Sequence, residues 1–464
     1  MLGLSKQIEV LKWLFLESHV NSLAEGPTED TVTSQRPAPF PAVQEKEDAK
    51  AWFQVLGGFL VFFNIWGLPN CFGAFQSFYA LQYLSQYSAS TISWIGTLQG
   101  TLLILLGLIS GPLTDLGYYR TLLYVGSLLT VVGLMTLSLS TQYYQVFLSQ
   151  GVCVGIGCGL LYVPTLSLIG DTFKAKRATA MALVTSGIAL GSYYRPPQVH
   201  YSTILKFWLV GGVIYTIVFL QLIPKLGFPW TVRIIGFICL FAYILAIPAL
   251  SVHSTKSSGR SRTLFDPSVL KDVPFLYFTL AQFFIFLGYL VPLFYIPTYA
   301  ETVLKTTSSF SQYLLVICQS ASLFGRLTAS IPAQHVGVMP VWVFCCVISG
   351  VLCFTWIVSD SLPAFIAFCV LYGYFSGALI ALPPSIFPVL CPDPGTLGAR
   401  MGLSWTSSAI SFLVGAPVAG ALINIQTADF IGAQIWSGAT LLIGSLFLVA
   451  LWIMLYRKQK RVLI

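Results

Sequence analysis

The ten residues Gly111–Arg120 read GPLTDLGYYR and lie between two long apolar runs, 92–113 and 121–140. Two glycines and a proline so close together are typical of a tight turn. A helix of roughly 20 apolar residues crosses the roughly 30 Å of hydrocarbon in a bilayer, and both flanking runs are about that long. The stretch is therefore predicted to be a short loop between two membrane-spanning helices.

The same pattern extends along most of the chain. Hydrophobic residues make up 56% of the 464 positions and charged residues only 9%, too few charges to cover a soluble protein of this length. The predicted spans are 52–79, 92–113, 121–140, 143–169, 178–223 (irregular), 232–250, 273–299, 310–332, 341–359, 363–390, 401–425 and 432–456. We therefore expect an all-α membrane protein of about twelve spans, with the lipid bilayer as its principal partner.

The positive charges mark one side of the membrane rather than a nucleic-acid surface. The net charge is +8, but the lysines and arginines lie between apolar runs and at the C-terminus. With a cytoplasmic N-terminus, the cytoplasmic loops and tail hold most of them, and the opposite loops hold only Lys225, Arg233 and Lys305. This asymmetry predicts that both termini are cytoplasmic and that no nucleic acid is bound. The plasma membrane is favoured over an internal membrane.

The distribution of polar segments predicts the domain organisation. A Pro-, Ser- and Glu-rich start is typical of a disordered tail, and a basic segment separates six spans from six. The predicted units are a tail (1–50), a six-helix half (51–250), a cytoplasmic linker (251–272), a second six-helix half (273–456) and a basic tail (457–464).

The loop GPLTDLGYYR resembles the signature loop of the major facilitator superfamily, which also lies between the second and third spans. In that family the glycines permit the turn, and an Asp–Arg pair helps to latch helices on the cytoplasmic side. The resemblance implies the major facilitator fold, two pseudo-symmetric six-helix halves, and a conformational latch formed by Gly111, Asp115, Gly117 and Arg120. It also implies transport of a small molecule by alternating access.

Further stretches resemble the fungal monocarboxylate transporter-like branch of the superfamily. They are AWFQVLGGF at 51–59 with NIWG at 64–67, FKAKRA at 173–178 with SG at 186–187, and GARMG at 398–402. Two positions depart from the animal members, which carry a lysine after the first-span proline and an aspartate four residues before an arginine in span eight. This chain has Pro69-Asn70 at the first and Ser322 before Arg326 at the second.

Arg326 is the leading candidate for substrate binding. It lies inside an apolar span, where an unpaired guanidinium costs on the order of 2.5–3.5 kcal/mol. Its planar fork suits a carboxylate, and the position matches the arginine that the resemblance assigns to carboxylate binding. The alternative is a structural arginine bonded to helix carbonyls. The predicted substrate is therefore a small organic anion, a monocarboxylate or a related metabolite.

Uncharged polar residues supply further candidates. Asn70 and Asn64 lie in the first span and either bind substrate or make ordinary contacts between helices. Four tyrosines are candidates for lining a cavity, with packing as the alternative for each, and Tyr295 is counted with the binding residues. The four are Tyr162, Tyr289, Tyr295 and Tyr374.

The carboxylates and histidines lie outside clear midspan positions, with Glu301 at the exit of span seven. We therefore hypothesise facilitated diffusion, exchange, or coupling through the substrate's own proton. Substrate-dependent alkalinisation in proteoliposomes would overturn this hypothesis.

The segment 192–211, SYYRPPQVHYSTILKFWLVG, interrupts the fifth span. Its flanks join into an ordinary span of about 26 residues without it, whereas Arg195-Pro196-Pro197 breaks the helix. Either Thr203–Ile223 replaces the span and the half-helix Met181–Gly191 is displaced, which we favour, or two broken halves flank a loop. A retained intron would explain the segment, and its presence in mature transcripts would refute that origin; a specialised loop is the alternative.

Other functions are less well supported by the sequence. No metal-ligand spacing, phosphate-binding loop or nucleophile–base arrangement is evident, so we expect neither enzyme activity nor a cofactor or metal. A non-transporting nutrient sensor on a carrier scaffold would share every span, and the product of a mis-spliced gene would be inactive.

Overall fold

The computed structural model describes residues 49–173, 184, 211–251, 271–390 and 397–462, and these residues are almost entirely helical. The first four membrane helices are α1 (Ala49–Asn70, continued by Phe72–Phe78 and a π-helical turn, Tyr79–Tyr83), α2 (Ala89–Leu105 and Gly107–Asp115), α3 (Tyr119–Leu137) and α4 (Tyr143–Val146, the π-helical Phe147–Val154, and Gly155–Thr172). The second half contains α7 (Val273–Thr302), α8 (Ser308–Val336), α9 (Val338–Thr355), α10 (Leu362–Ala381), α11 (Leu397–Ala421) and α12 (Ile431–Val462).

The long helix Gly211–Ser251 is two membrane helices joined by a sharp break. Gly227 has φ 72° and ψ 176°, which no helical residue adopts. We call its two arms α5 (211–226, the described part of the fifth span) and α6 (228–251). Eleven helices in the described residues are long and apolar enough to cross a membrane, and the broken one accounts for two spans. The expected all-α membrane fold is confirmed.

Consecutive helices run in opposite directions, which defines two faces of the molecule. The terminal face is the end at which α1 begins and α12 ends. The far face carries the turns before α2, α4, α6, α8, α10 and α12. Side-chain caps fix two of those turns, since Ser88 Oγ accepts from the Thr91 N–H at 3.1 Å and Asp429 Oδ1 accepts from the Ile431 N–H at 3.0 Å.

Each half packs its helices in the same way. In the first half α1 lies against α6, where Gln54 Nε2 donates to the Leu250 carbonyl at 3.3 Å. In the second half α7 lies against α12, where Ser437 Oγ donates to the Gly288 carbonyl at 2.8 Å. The equivalence of these pairs is the structural basis of the two-half architecture.

The two halves are joined by polar contacts at the far face. Each contact links one helix of the first half to one of the second. They are Ser90 Oγ to the Pro417 carbonyl (2.7 Å), Ser77 Oγ to Glu301 Oε1 (2.9 Å) and Gln221 Nε2 to the Tyr313 hydroxyl (2.8 Å). The described structure is therefore closed at the far face.

Two predicted span ends differ from the structure. The span 363–390 stops at Ala381, because Pro383 and Pro384 cannot continue the hydrogen bonding of the helix, and Pro383–Ser385 and Phe387–Leu390 follow as short turns. The span 401–425 stops at Ala421, ahead of a turn closed by pairing between Asn424 and Asp429. Residues 1–48 of the predicted tail (1–50) and most of the linker 251–272 lie outside the described residues. The same holds for the half-helix Met181–Gly191 apart from Val184, and for the segment 192–211 apart from Gly211.

The close contact between α8 and α10 requires glycine, which has no side chain, at two positions. A Cβ at Gly325 would overlap the Tyr374 carbonyl oxygen, and one at Gly377 would overlap the Ser322 carbonyl oxygen. Backbone atoms cannot move aside as a flexible side chain can. The glycines thus let the two helices approach to backbone contact.

We expect Gly325→Ala to destabilise the folded protein by about 1–3 kcal/mol, because the added methyl group forces α8 and α10 apart. Gly111→Ala is the matched control, since its Cβ would lie 3.6 Å from Val163 Cγ1, an ordinary contact. Thermal unfolding in detergent, followed by light scattering, measures both variants. Equal melting temperatures for the two would contradict the inferred backbone contact.

Candidate functional site

One face of α8 carries a polar row across the membrane. Gln312, Gln319 and Arg326 follow each other at seven-residue spacing, which returns to nearly the same side of a helix every two turns. Gln312 Nε2 donates to the Ala74 carbonyl at 3.4 Å and Gln319 Nε2 donates to the Asn70 carbonyl at 2.6 Å, both on α1. The row therefore faces the other half of the molecule.

Arg326 lies on this inward face and not on the lipid side. Phe324 and Ile331, on other sides of α8, are 56% and 58% exposed, as expected of residues that contact lipid. Arg326 is half-buried, and its guanidinium interacts with the phenol of Tyr289 on α7, which also lies beside Ser322. A charge held between two helices and turned toward the partner half can meet a solute between the halves.

Asn70 occupies the point where α1 meets α8. It is half-buried at the end of the first helical segment of α1, and its carbonyl accepts the Gln319 hydrogen bond. Cys71 keeps a helical backbone and donates its N–H to the Gly67 carbonyl at 3.1 Å, so α1 continues into Phe72–Phe78. The hydrogen bond from Gln319 places the Asn70 backbone at the level of the polar row of α8.

Asn64 lies within the first half. It is fully buried, its Oδ1 accepts from the Tyr215 hydroxyl at 2.6 Å, and its Nδ2 donates to the Cys239 carbonyl at 3.3 Å. These bonds link α1 to α5 and α6. The geometry favours the contact between helices, the alternative that the sequence left open for this residue, over substrate binding.

Tyr295 is also fully buried and bonded to backbone. Its hydroxyl lies 3.1 Å from the Ala416 carbonyl on α11 and 3.4 Å from the Ala89 carbonyl at the start of α2. A phenol in this position helps to hold the two halves together at the far face. Its hydroxyl is committed to those carbonyls, which favours packing over substrate binding.

Three aromatic side chains meet between the halves, and we call them the aromatic triad: Trp66, Tyr162 and Trp405. The Tyr162 ring centroid lies 6.1 Å from that of Trp66 on α1 and 5.5 Å from that of Trp405 on α11. Trp66 and Trp405 are both half-buried. Tyr374, by contrast, is 38% exposed on α10 and bonds to Thr328.

The predicted latch lies at the turn between α2 and α3. Gly117 has φ 94°, a conformation that favours glycine, and Gly111 lies in the last segment of α2. The Arg120 Nε donates to the Tyr119 hydroxyl at 3.1 Å. The side chain of Asp115 lies outside the described residues, so the Asp115–Arg120 latch stays a prediction.

The structure brings together two charged sites that the sequence did not indicate. Arg400 at the start of α11 forms an ion pair with Asp272 before α7, at 2.5 Å, and ties these helix ends together at the terminal face. Glu301 accepts hydrogen bonds from Ser77 and from Ser308, at 2.9 and 3.2 Å. Asp272 and Arg400 are 128 positions apart in the sequence, and Ser77 and Glu301 are 224 positions apart. Contacts between such distant positions cannot be predicted from a local sequence pattern.

Within the described part of the chain, no group of three or more His, Cys, Asp or Glu side chains could hold a metal ion. The nine cysteines described there are free thiols, eight of them buried. Among the described residues, the groups between the halves are therefore the Arg326 guanidinium, the Glu301 carboxylate at the far face, uncharged hydrogen-bonding groups and aromatic rings.

Comparison with known proteins gives consistent results. The family model of the Major Facilitator Superfamily matches residues 54–196. The chain is 38% identical over 394 residues to the MFS-type transporter dbaD of Emericella nidulans, covering 85% of this chain and 84% of that protein. It is 32% identical over 426 residues to the aspyridones efflux protein apdF of the same organism, covering 92% and 82%.

Two further matches extend this likeness. The agnestins efflux protein AgnL12 of Paecilomyces divaricatus is 32% identical over 402 residues, covering 86% of this chain and 87% of that protein. A crystal structure of a mutant of the nucleoside transporter NupG matches with a TM-score of 0.61 over 88% of this chain and 99% of that one. At 13% identity, the last match concerns the fold alone.

Proposed function

The chain belongs to the major facilitator superfamily of membrane transporters, and from that premise we propose that it carries a small organic anion across the membrane by alternating access. The observation that supports the anionic substrate is the position of Arg326. Its guanidinium lies on the face of α8 that contacts α1 of the other half, beside the Tyr289 phenol. A carboxylate or another acidic group would offset the cost of placing this charge inside the membrane.

The proposed binding groups come from both halves. Arg326 holds the acidic group through its planar fork, and the Tyr289 phenol lies beside it. Asn70 supplies the first half's contribution about two turns away, where its carbonyl accepts from Gln319. Groups from both halves are what alternating access requires, because a site at the interface is exposed to one face and then to the other as the halves rock.

We assign export as the direction of transport. Several relatives are named efflux proteins, including those for aspyridones and agnestins. A monocarboxylate is one member of the proposed substrate class, which also includes larger acidic metabolites. The plasma membrane with both termini cytoplasmic is the corresponding location; protease protection of tags on the two termini in intact cells tests that orientation.

Facilitated diffusion, exchange, or coupling through the substrate's own proton remains our proposal for the energetics. Among the described carboxylates, Glu301 is the one with a hydrogen bond that crosses between the halves, and it lies at the far-face contact rather than beside Arg326. Glu301 accepts hydrogen bonds from Ser77 and Ser308, and the bond from Ser77 helps to hold the two halves together at the far face. A proton flux in proteoliposomes that persists with a permanently charged substrate, and stops in Glu301→Gln, would contradict this proposal.

A flux screen tests the proposed function. Proteoliposomes are loaded with a mixture of organic acids and their matching neutral amides, and mass spectrometry follows which solutes leave. We expect one or more acids, but not their amides, to leave faster than from empty liposomes, because only the acids form the ion pair with Arg326. Movement of amides alone would contradict the proposal, and binding of acids without any flux would favour the sensor alternative.

A further inference from the structure

The aromatic triad and Arg326 lie on the same side of the contact between α1 and α8. Asn70 meets Gln319 at that contact. The helices α1 and α8 run antiparallel. Trp66 lies one turn before Asn70 on α1, and Arg326 lies two turns after Gln319 on α8. Both residues therefore lie on the terminal-face side of this contact. A rise of 1.5 Å per residue places them about 6 Å and about 10 Å from the contact level, so they differ by only about 5 Å along the membrane normal.

The triad also crosses the interface between the halves. Trp66 and Tyr162 belong to α1 and α4 of the first half, and Trp405 belongs to α11 of the second. Phe62, one turn before Trp66, adds a fourth ring on the Tyr162 side, at a centroid distance of 5.6 Å. Trp405 is turned away from Ile410, which is 50% exposed on the lipid side of α11.

One polar group in this aromatic surface has no protein partner. The indole Nε1 of Trp66 is buried and makes no hydrogen bond within the described residues. A buried N–H that donates to nothing is unfavourable, and it marks a place where a ligand acceptor would be stabilised. The triad therefore combines two half-buried tryptophans with a buried donor that has no partner among the described residues, and Trp66 lies only about 5 Å along the membrane normal from Arg326.

We propose that the substrate is a flat aromatic acid whose ring packs against Trp66 and Trp405 while its acidic group is held by Arg326. Aromatic side chains favour flat rings through stacked and edge-on contacts, beyond the gain from burying apolar surface. A saturated acid of equal size gains the burial but not these contacts. The inference rests on the proposed function and specifies its substrate class.

Equilibrium binding to the purified full-length chain, measured by calorimetry, tests the inference with matched probes. 2-Naphthoate is the aromatic acid, decalin-2-carboxylate is its saturated counterpart, and 2-naphthamide is its neutral counterpart. We expect 2-naphthoate to bind about tenfold more tightly than decalin-2-carboxylate, as two aromatic contacts would give. Equal affinities, or no binding of 2-naphthoate, would overturn the inference.

Variants of Trp405 test whether this side chain produces the preference for 2-naphthoate over decalin-2-carboxylate. Trp405→Leu is expected to reduce the naphthoate preference from about tenfold to about threefold, because Trp66 remains, with little change for the saturated acid; Trp405→Phe is expected to keep most of the preference, because a ring remains. Trp94→Leu is the matched control, since Trp94 is 37% exposed on α2 outside the triad. A preference that stays at about tenfold in Trp405→Leu, or that falls equally in Trp94→Leu, would contradict the assignment.

Arg326→Gln separates this inference from the proposed function. We expect this variant to lose the preference for 2-naphthoate over 2-naphthamide, while 2-naphthamide keeps its dependence on Trp405. If the acid-over-amide preference is unchanged in Arg326→Gln but the aromatic preference still depends on Trp405, the anion site is wrong and the ring site stands. If the acid-over-amide preference is lost in Arg326→Gln but the aromatic preference does not depend on Trp405, the ring site is wrong and the anion site stands.

Discussion

Arg326→Gln is expected to lower the transport of an organic anion, at low concentration, by about 10- to 100-fold. The variant keeps a hydrogen-bonding side chain of similar shape but removes the positive charge and the two-donor fork. Arg326→Lys should fall between the wild type and the glutamine variant, because a lysine keeps the charge and loses the fork.

Counterflow in proteoliposomes, with the substrate found in the flux screen, measures these rates. The matched control is Arg233→Gln, which removes an arginine near the far face, where its guanidinium lies over the Trp230 ring at 5.0 Å from the ring centroid. We expect the control to transport at nearly the wild-type rate. If Arg326→Gln transports the anion as fast as Arg233→Gln does, Arg326 is a structural residue and the anion site is refuted.

Removal of residues 192–211 is expected to raise the yield of folded protein and the transport rate several-fold. The reason lies in the described residues on either side. Val184 is fully buried, and its Cγ2 would lie 3.1 Å from a Cβ at Gly58 of α1. Phe219 is also buried, with its ring centroid 4.3 Å from that of Phe75 farther along α1.

The spacing of these two contacts fits one continuous fifth helix. With the segment removed, Val184 and Phe219 would be 15 residues apart, or about 22 Å along a helix. Gly58 and Phe75 are 17 residues apart on α1, or about 25 Å. Apart from Val184, the half-helix Met181–Gly191 lies outside the described residues, so its predicted displacement stays a prediction, which this experiment tests.

A third form of the protein makes this experiment decisive. Replacement of 192–211 by a twenty-residue Gly/Ser linker keeps the length and removes the sequence. If the segment is surplus, the linker form should transport as poorly as the full chain, and the deletion should exceed both. A full chain that transports well, with both altered forms inactive, would show that the segment is a specialised part of the transporter.

The number and order of the membrane helices were predictable because they depend on the composition of each segment of the sequence. About twelve apolar runs and their charge asymmetry are properties of single segments, and the loop GPLTDLGYYR identified the superfamily by its place between two of them. Arg326 was predictable for the same reason, since a charge in an apolar run is conspicuous. The span ends at Ala381 and Ala421 were misplaced because apolar residues continue past the points where prolines and a turn end the helices.

The rest of the candidate site depends on contacts between distant segments. Trp66 and Trp405 are two of eleven tryptophans, and nothing in their local sequence shows that both contact Tyr162. Asn64 and Asn70 have similar surroundings in the sequence, yet Asn64 is bonded inside the first half and Asn70 meets the second half. The difference arises because the two residues lie six positions apart, on different sides of α1.

The most direct test of the anion site is a structure of the protein with a brominated aromatic acid such as 4-bromobenzoate. The bromine signal identifies the ligand, and its carboxylate fixes the orientation. We predict the carboxylate at about 3 Å from the Arg326 guanidinium, between α7 and α8. A carboxylate bound elsewhere, with the Arg326 guanidinium held only by helix carbonyls, would contradict the account.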